Sequence, residues 1–132
     1  MILHDKIASQ LPALRDRVKK LVTEHGDKII DQVKLSQIYG GMRGIKSLVT
    51  DVSFVDPATG IKLRGMSIPE LLEKLPKNDG MKIPYVGGLY YLLLIGEIPT
   101  LAEGQEVEKE WAKRSQVPGH VYSLIQAMPT PD

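Results

Sequence analysis

The residues with the most chemistry to offer are gathered in Gly40-Gly41-Met42-Arg43-Gly44. Three glycines in five positions free the backbone for left-handed conformations and for close approach to a ligand. The side chain carried on this turn is Arg43, whose planar guanidinium suits a bidentate hold on phosphate or carboxylate, and Lys46 follows as a second cation. A P-loop is excluded: that motif needs G-x-x-x-x-G-K-[ST], whereas Ile45 separates Gly44 from Lys46-Ser47 and no strongly apolar strand leads in. The G-x-G-x-x-G dinucleotide fingerprint is not matched either. Two readings of the turn stay open, an anion site centred on Arg43 and a purely structural reversal.

The other reactive side chains are sparse. There are three histidines, His4, His25 and His120, and no cysteine. Without cysteine the chain has no disulfide, thiol nucleophile, iron–sulfur cluster or thiolate zinc site, and three histidines argue against a multi-histidine metal centre. His25 falls in the last turn of a predicted helix, where a cation opposes the helix dipole and acts as a cap. His120 lies two residues past Pro118 in a helix first turn, where the dipole disfavours imidazolium; it reads as a neutral hydrogen bonder or a ligand contact. His4 belongs to an N-terminal stretch expected to fray. The carboxylates Glu106 and Glu110 share a helix with Lys109 and Lys113 and read as a solvated polar face.

The elements that must position these groups are mostly helical. Ile7, Leu11, Leu14, Val18, Leu21 and Val22 recur at spacings of three and four, which predicts a helix over 7–25, bent or begun at Pro12 and stopped at Gly26. A small β region spans 28–64, with a strand over Lys28–Val33, an alternating strand over Leu48–Val55, and a hairpin reversal at Asp56-Pro57-Ala58-Thr59-Gly60 into Ile61–Leu63. Ser67-Ile68-Pro69-Glu70 and Thr100-Leu101-Ala102-Glu103 are capping boxes that open helices over 67–75 and 101–115. Between them, 86–95 forms a helix so apolar that it must be buried round most of its circumference, with Leu89, Leu92, Leu93 and Gly96 on one face. A last helix covers 118–128, with Val121, Leu124, Ile125 and Met128 turned inward. The expected fold is mainly α with a small antiparallel hairpin.

Seventeen Lys and Arg against sixteen Asp and Glu leave a net charge of +1, too little to attract nucleic acid or an anionic membrane. The longest apolar run, Leu89–Ile95, has seven residues, against about 20 for a membrane span. The length of 132 residues suits one domain, with no repeat or Gly/Ser linker to divide it.

Several segments in order resemble the N-terminal part of citrate synthase, of the type found in mitochondria and some bacteria. They are Glu24-His25-Gly26-Asp27-Lys28, Tyr39-Gly40-Gly41-Met42-Arg43-Gly44-Ile45-Lys46, Gly60-Ile61-Lys62-Leu63-Arg64-Gly65, Ser67-Ile68-Pro69-Glu70, Leu92-Leu93-Leu94-Ile95-Gly96-Glu97-Ile98-Pro99-Thr100, Glu110-Trp111-Ala112-Lys113-Arg114 and Val117-Pro118-Gly119-His120-Val121. The resemblance implies the N-terminal portion of the large domain of a homodimeric, metal-free acyltransferase that condenses acetyl-CoA with oxaloacetate. Acetyl-CoA is then a substrate, and no permanently bound cofactor is implied. It also implies a fragment: the family's two histidines and aspartate of catalysis, and its oxaloacetate-binding groups, match nothing among His4, His25 and His120. The chain alone is expected to be inactive. Arg43 matches an arginine that helps bind the CoA phosphates.

The sequence departs from the family at Tyr85-Val86-Gly87-Gly88, Tyr90-Tyr91 and Thr100-Leu101-Ala102-Glu103-Gly104, positions expected on loops and helix surfaces. Two alternatives stay open, a 2-methylcitrate synthase fragment using propionyl-CoA and a non-catalytic interaction module with this partial fold. The N-terminus, Met1-Ile2-Leu3-His4-Asp5-Lys6, has neither a secretory h-region nor the character of a transit peptide. It implies a cytoplasmic protein, or one of the mitochondrial matrix if the source is eukaryotic.

Overall fold

A computed structural model describes residues 2–46 and 48–130; Met1, Ser47, Pro131 and Asp132 lie outside the described residues, and with Ser47 goes the hydroxyl of the P-loop comparison. The described residues form six helices and one small antiparallel sheet, in keeping with the expected fold class. Helix α4 (Val86–Ile95) is the organising element, packed on α5 (Leu101–Arg114) and on α1 (Ile2–His25). One core cluster joins Leu71 and Leu75 of α3 (Ile68–Lys74) and its C-cap to Leu92, with Leu63, Met66 and Leu89 against it. The other joins Tyr91 and Ile95 to Val107 of α5, with Ile2 and Leu3 of α1 against them.

Helix boundaries in the C-terminal two-thirds follow the local signals. Ser67 accepts from the Glu70 amide while Glu70 Oε2 accepts from the Ser67 amide at 2.8 Å. Thr100 and Glu103 repeat the arrangement at the start of α5. Helix α4 ends on Gly96, whose φ of 86° only glycine adopts without strain. Helix α6 (Gly119–Ala127) begins after Pro118.

The N-terminal third departs from expectation. Helix α1 starts at Ile2, five residues early, and carries Pro12 in its interior. The amide that proline lacks would have served the Ala8 carbonyl, which lies on an exposed residue within reach of solvent. His4 is therefore helical rather than frayed. Residues 28–33 form no strand: they are exposed, no neighbouring strand pairs with them, and β-branched content alone does not make a ladder. The strand expected from Leu48 is confined to β1 (Ser53–Asp56), while Val49 is 98% exposed. β1 pairs with β2 (Gly60–Leu63) through Ser53↔Leu63 and Asp56↔Gly60. The reversal is held as expected, Asp56 Oδ1 accepting from the Ala58 and Thr59 amides at 2.8 Å each. A short β3 (Met66–Ser67), not anticipated, adds to β2 and leads directly into α3.

Helix α4 is buried or half-buried round most of its circumference, as expected, whereas the burial expected of α6 fails. On α4 the buried residues are Gly87, Gly88, Tyr91, Leu92 and Ile95, whereas Val86, Tyr90 and Leu94 are exposed. Of the residues expected inward on α6 only Val121 is half-buried; Leu124, Ile125 and the C-cap Met128 are exposed, because no other element among the described residues packs closely on this helix.

Candidate functional site

Arg43 sits on a turn built by the end of α2 (Leu35–Tyr39). The amides of Gly40, Gly41 and Met42 fold back on the carbonyls of Ser36, Ile38 and Gln37 at 3.0, 3.2 and 2.8 Å. Gly41 and Gly44 take φ of 78° and 71°, and between them Met42 is held at 62°. A side chain in the left-handed region costs about 1–2 kcal/mol, so the Met42 backbone is strained and the turn's own hydrogen bonds hold it there. The Gln37 carboxamide closes the structure. Its Oε1 accepts from the Lys34 amide at 2.8 Å and its Nε2 donates to the Arg43 carbonyl at 3.3 Å. Arg43 and Lys46 are both exposed, and neither pairs with a carboxylate among the described residues. The turn thus offers two uncommitted cations on a constrained backbone, an arrangement that can receive a polyanion.

The histidines do not converge. His4 lies in the first turn of α1, its Nδ1 3.0 Å from Asp5 Oδ1, so a carboxylate does stand beside it, on the exposed surface. His25 lies in the last turn of the same helix, as expected of a cap, about 30 Å away at 1.5 Å per residue. His120 lies in the first turn of α6 and is exposed. Among the described residues no group of three His, Cys, Asp or Glu is placed to hold a metal. Glu110 is less solvated than its helix pattern implied: it pairs with Lys113 at 3.0 Å and Arg114 at 3.8 Å, and these cations hold its carboxyl below the usual range.

Two residues escape a reading from sequence. Arg64, at φ 48°, turns its guanidinium onto the C-terminus of α4, donating to the Leu93 carbonyl at 2.6 and 3.1 Å while pairing with Asp51 at 3.1 Å. Its side chain is only 17% exposed, and a cation there also opposes the dipole of α4. Nothing local signals this role, since its acceptor is 29 residues away. Gln37 had a partial signal, an amide three residues after a helix N-cap.

The positions where the sequence departs from the family are not all superficial. Gly87 and Gly88 lie buried at the crossing of α4 and α5, and Tyr91 is 1% exposed, its hydroxyl donating to Glu103 Oε1 at 3.1 Å. Burial raises the Tyr91 phenol above its ordinary value, and the Thr100 amide holds the Glu103 carboxyl below its own. Val86, Tyr90, Thr100 and Ala102 lie at the surface; Tyr90 is edge-on to Trp111 at 5.2 Å, beside a cavity of about 320 Å³ lined also by Ile2, Leu3, Ile7 and Leu94. No helix among the described residues is long and apolar enough to cross a membrane.

Comparison with known proteins identifies the family. The family model described as Citrate synthase, C-terminal domain, matches residues 41–132, beginning within the glycine turn. Citrate synthase, mitochondrial, of Aspergillus niger is 46% identical over 128 residues, which cover 97% of this chain and 27% of that protein. The corresponding protein of Saccharomyces cerevisiae is 44% identical over 127 residues, covering 96% of this chain and 26% of that one. 2-Methylcitrate synthase, mitochondrial, of Yarrowia lipolytica is 45% identical over 127 residues, or 96% of this chain and 27% of that protein. The chain spans about a quarter of the length of these relatives.

Proposed function

The chain belongs to the citrate synthase family, and we propose that it is the part of such an acyltransferase that presents Arg43 to the phosphates of the acyl-CoA substrate. The observation that carries this is the turn itself: an exposed arginine, free of carboxylate partners among the described residues, on a backbone constrained by α2. One charge-assisted contact to phosphate contributes about 1.5–3 kcal/mol, roughly ten- to a hundredfold in affinity. In this reading the chain forms the N-terminal part of the large domain of a homodimer, which condenses acetyl-CoA with oxaloacetate. CoA enters as substrate, and the chain holds no resident cofactor or metal. The carbon–carbon chemistry then belongs to residues outside this chain, because a general acid and base must reach the reacting groups together, and His4, His25 and His120 are dispersed. The names of the relatives favour a mitochondrial location over the cytoplasm. Acetyl and propionyl chains stay undivided, since citrate and 2-methylcitrate synthases match almost equally.

The test uses an enzyme in which residues 1–130 replace the matching segment of the Aspergillus niger relative. Arg43→Ala should raise the apparent acetyl-CoA constant about ten- to a hundredfold and leave the oxaloacetate constant nearly unchanged. An unaltered acetyl-CoA constant overturns the reading.

A further inference from the structure

We propose that Gln37 is a positioning residue for Arg43, a reading that rests on Arg43 as the phosphate contact. Gln37 makes three hydrogen bonds here, two of which join the turn to its helix. Its carbonyl accepts from the Met42 amide at 2.8 Å, its Oε1 accepts from the Lys34 amide at 2.8 Å, and its Nε2 donates to the Arg43 carbonyl at 3.3 Å. The last bond decides the matter, because it is the one side-chain bond among the described residues that fastens the backbone of Arg43 itself. Without it, the left-handed Gly41, Met42 and Gly44 are held by backbone hydrogen bonds alone, and the strain at Met42 favours relaxation of the turn. A cationic side chain on a relaxed turn must be ordered again by the ligand, at the expense of affinity; on a fastened turn that ordering is already complete. Gln37 never touches the ligand in this scheme.

Two variants, made in the chimeric enzyme described above, separate this role from simple helix capping. Gln37→Met keeps the length and removes both carboxamide bonds. Gln37→Glu keeps the acceptor for the Lys34 amide but has no donor for the Arg43 carbonyl. Amide hydrogen exchange, read by mass spectrometry with residue-level fragmentation, should show the amides of Met42 and Ile45, the latter bonded to the Met42 carbonyl, less protected in both variants, with the Lys34 amide losing protection only in Gln37→Met. Titration with coenzyme A should be about two- to tenfold weaker for Gln37→Met, with the melting midpoint unchanged, since the packed core is untouched. The inference is overturned if Gln37→Met retains both the exchange protection of the turn and the coenzyme A affinity. It is also overturned if Gln37→Glu matches the unsubstituted chain at Met42 and Ile45, for then capping alone accounts for the residue. Should Arg43→Ala leave coenzyme A binding unchanged, the phosphate reading falls instead, and the exchange comparison still decides whether Gln37 fastens the turn.

Discussion

Single side chains in this protein act over distances that the linear sequence conceals. Arg64 belongs by position to the hairpin, yet its guanidinium serves carbonyls at the far end of α4 and pairs with Asp51. Replacing Arg64 with alanine strands the Leu93 carbonyl in a half-buried place and removes a charge-assisted bond, contributions of about 1.5–3 kcal/mol. We expect Arg64→Ala to lower the unfolding free energy by that amount in urea denaturation, with Asp51→Asn costing much less, because Asp51 is largely exposed. Equal effects from the two variants would show that the ion pair, and not the cap on α4, carries the stabilisation. Arg43 differs in kind: its surroundings constrain its backbone and leave its charge unspent.

At the scale of elements, the contact between α4 and α5 is the most extensive among the described residues. A Cβ placed on Gly87 would lie 2.4 Å from the Gly104 carbonyl oxygen, whereas one on Gly88 meets nothing closer than Pro99 at 3.6 Å. Neighbouring glycines on one helix therefore have opposite tolerances. Gly87→Ala should destabilise by about 1–3 kcal/mol or more through overpacking. Gly88→Ala should be neutral or stabilising by up to about 1 kcal/mol, from the better helix propensity of alanine. Thermal melts of the two variants side by side check this, and a tolerated Gly87→Ala would mean the helices are not this close. The capping boxes add a pH dependence. Ser67 hydrogen bonds hold the Glu70 carboxyl, and the Thr100 amide that of Glu103, below the usual carboxylate range in the folded chain. The unfolded chain then binds more protons in acid, so this stabilisation is complete above an ordinary carboxylate value of about 4.3 and is lost as pH falls below it. The double variant Glu70→Gln, Glu103→Gln should show a flatter decline of melting midpoint between pH 5 and pH 3, roughly the range of carboxylate titration. An unchanged slope would assign acid sensitivity elsewhere.

For the whole molecule the telling quantity is surface. The chain exposes 10981 Å², against about 6,900 Å² expected of a compact monomer of 14.7 kDa. The excess is visibly apolar: Leu14, Val18, Leu21 and Val22 on α1, and Leu124 and Ile125 on α6, all lie exposed. Leaving each such side chain in water forfeits about 1.5–3 kcal/mol relative to full burial, while a domain's whole stability is about 5–15 kcal/mol. The isolated chain is therefore expected to self-associate, or to bind a hydrophobic dye as a loosely packed state. Sedimentation and dye fluorescence check this; a strictly monomeric chain with a sharp melt and no dye binding would support a self-sufficient module over a piece of a larger enzyme. The same chain, incubated with acetyl-CoA and oxaloacetate, should release no free thiol above background.

What the sequence determined by itself is the set of features whose causes are local. Ser67 with Glu70, Thr100 with Glu103, Pro118 and the Asp56–Gly60 reversal each act within a few residues, and each stands where its pattern predicts. Arg43 on its glycine turn was legible for the same reason. Tertiary structure decided whatever required a partner. The β-branched run at 28–33 found no strand to pair with and stayed irregular, and the apolar stripe of α6 found no surface to cover it. Gly87 became a helix crossing only because Gly104 lies opposite, and Arg64 became a cap only because β2 delivers it to the end of α4. Hydrogen-bonded caps and turns are closed by neighbours in the chain, whereas burial and pairing depend on groups that folding brings from far away.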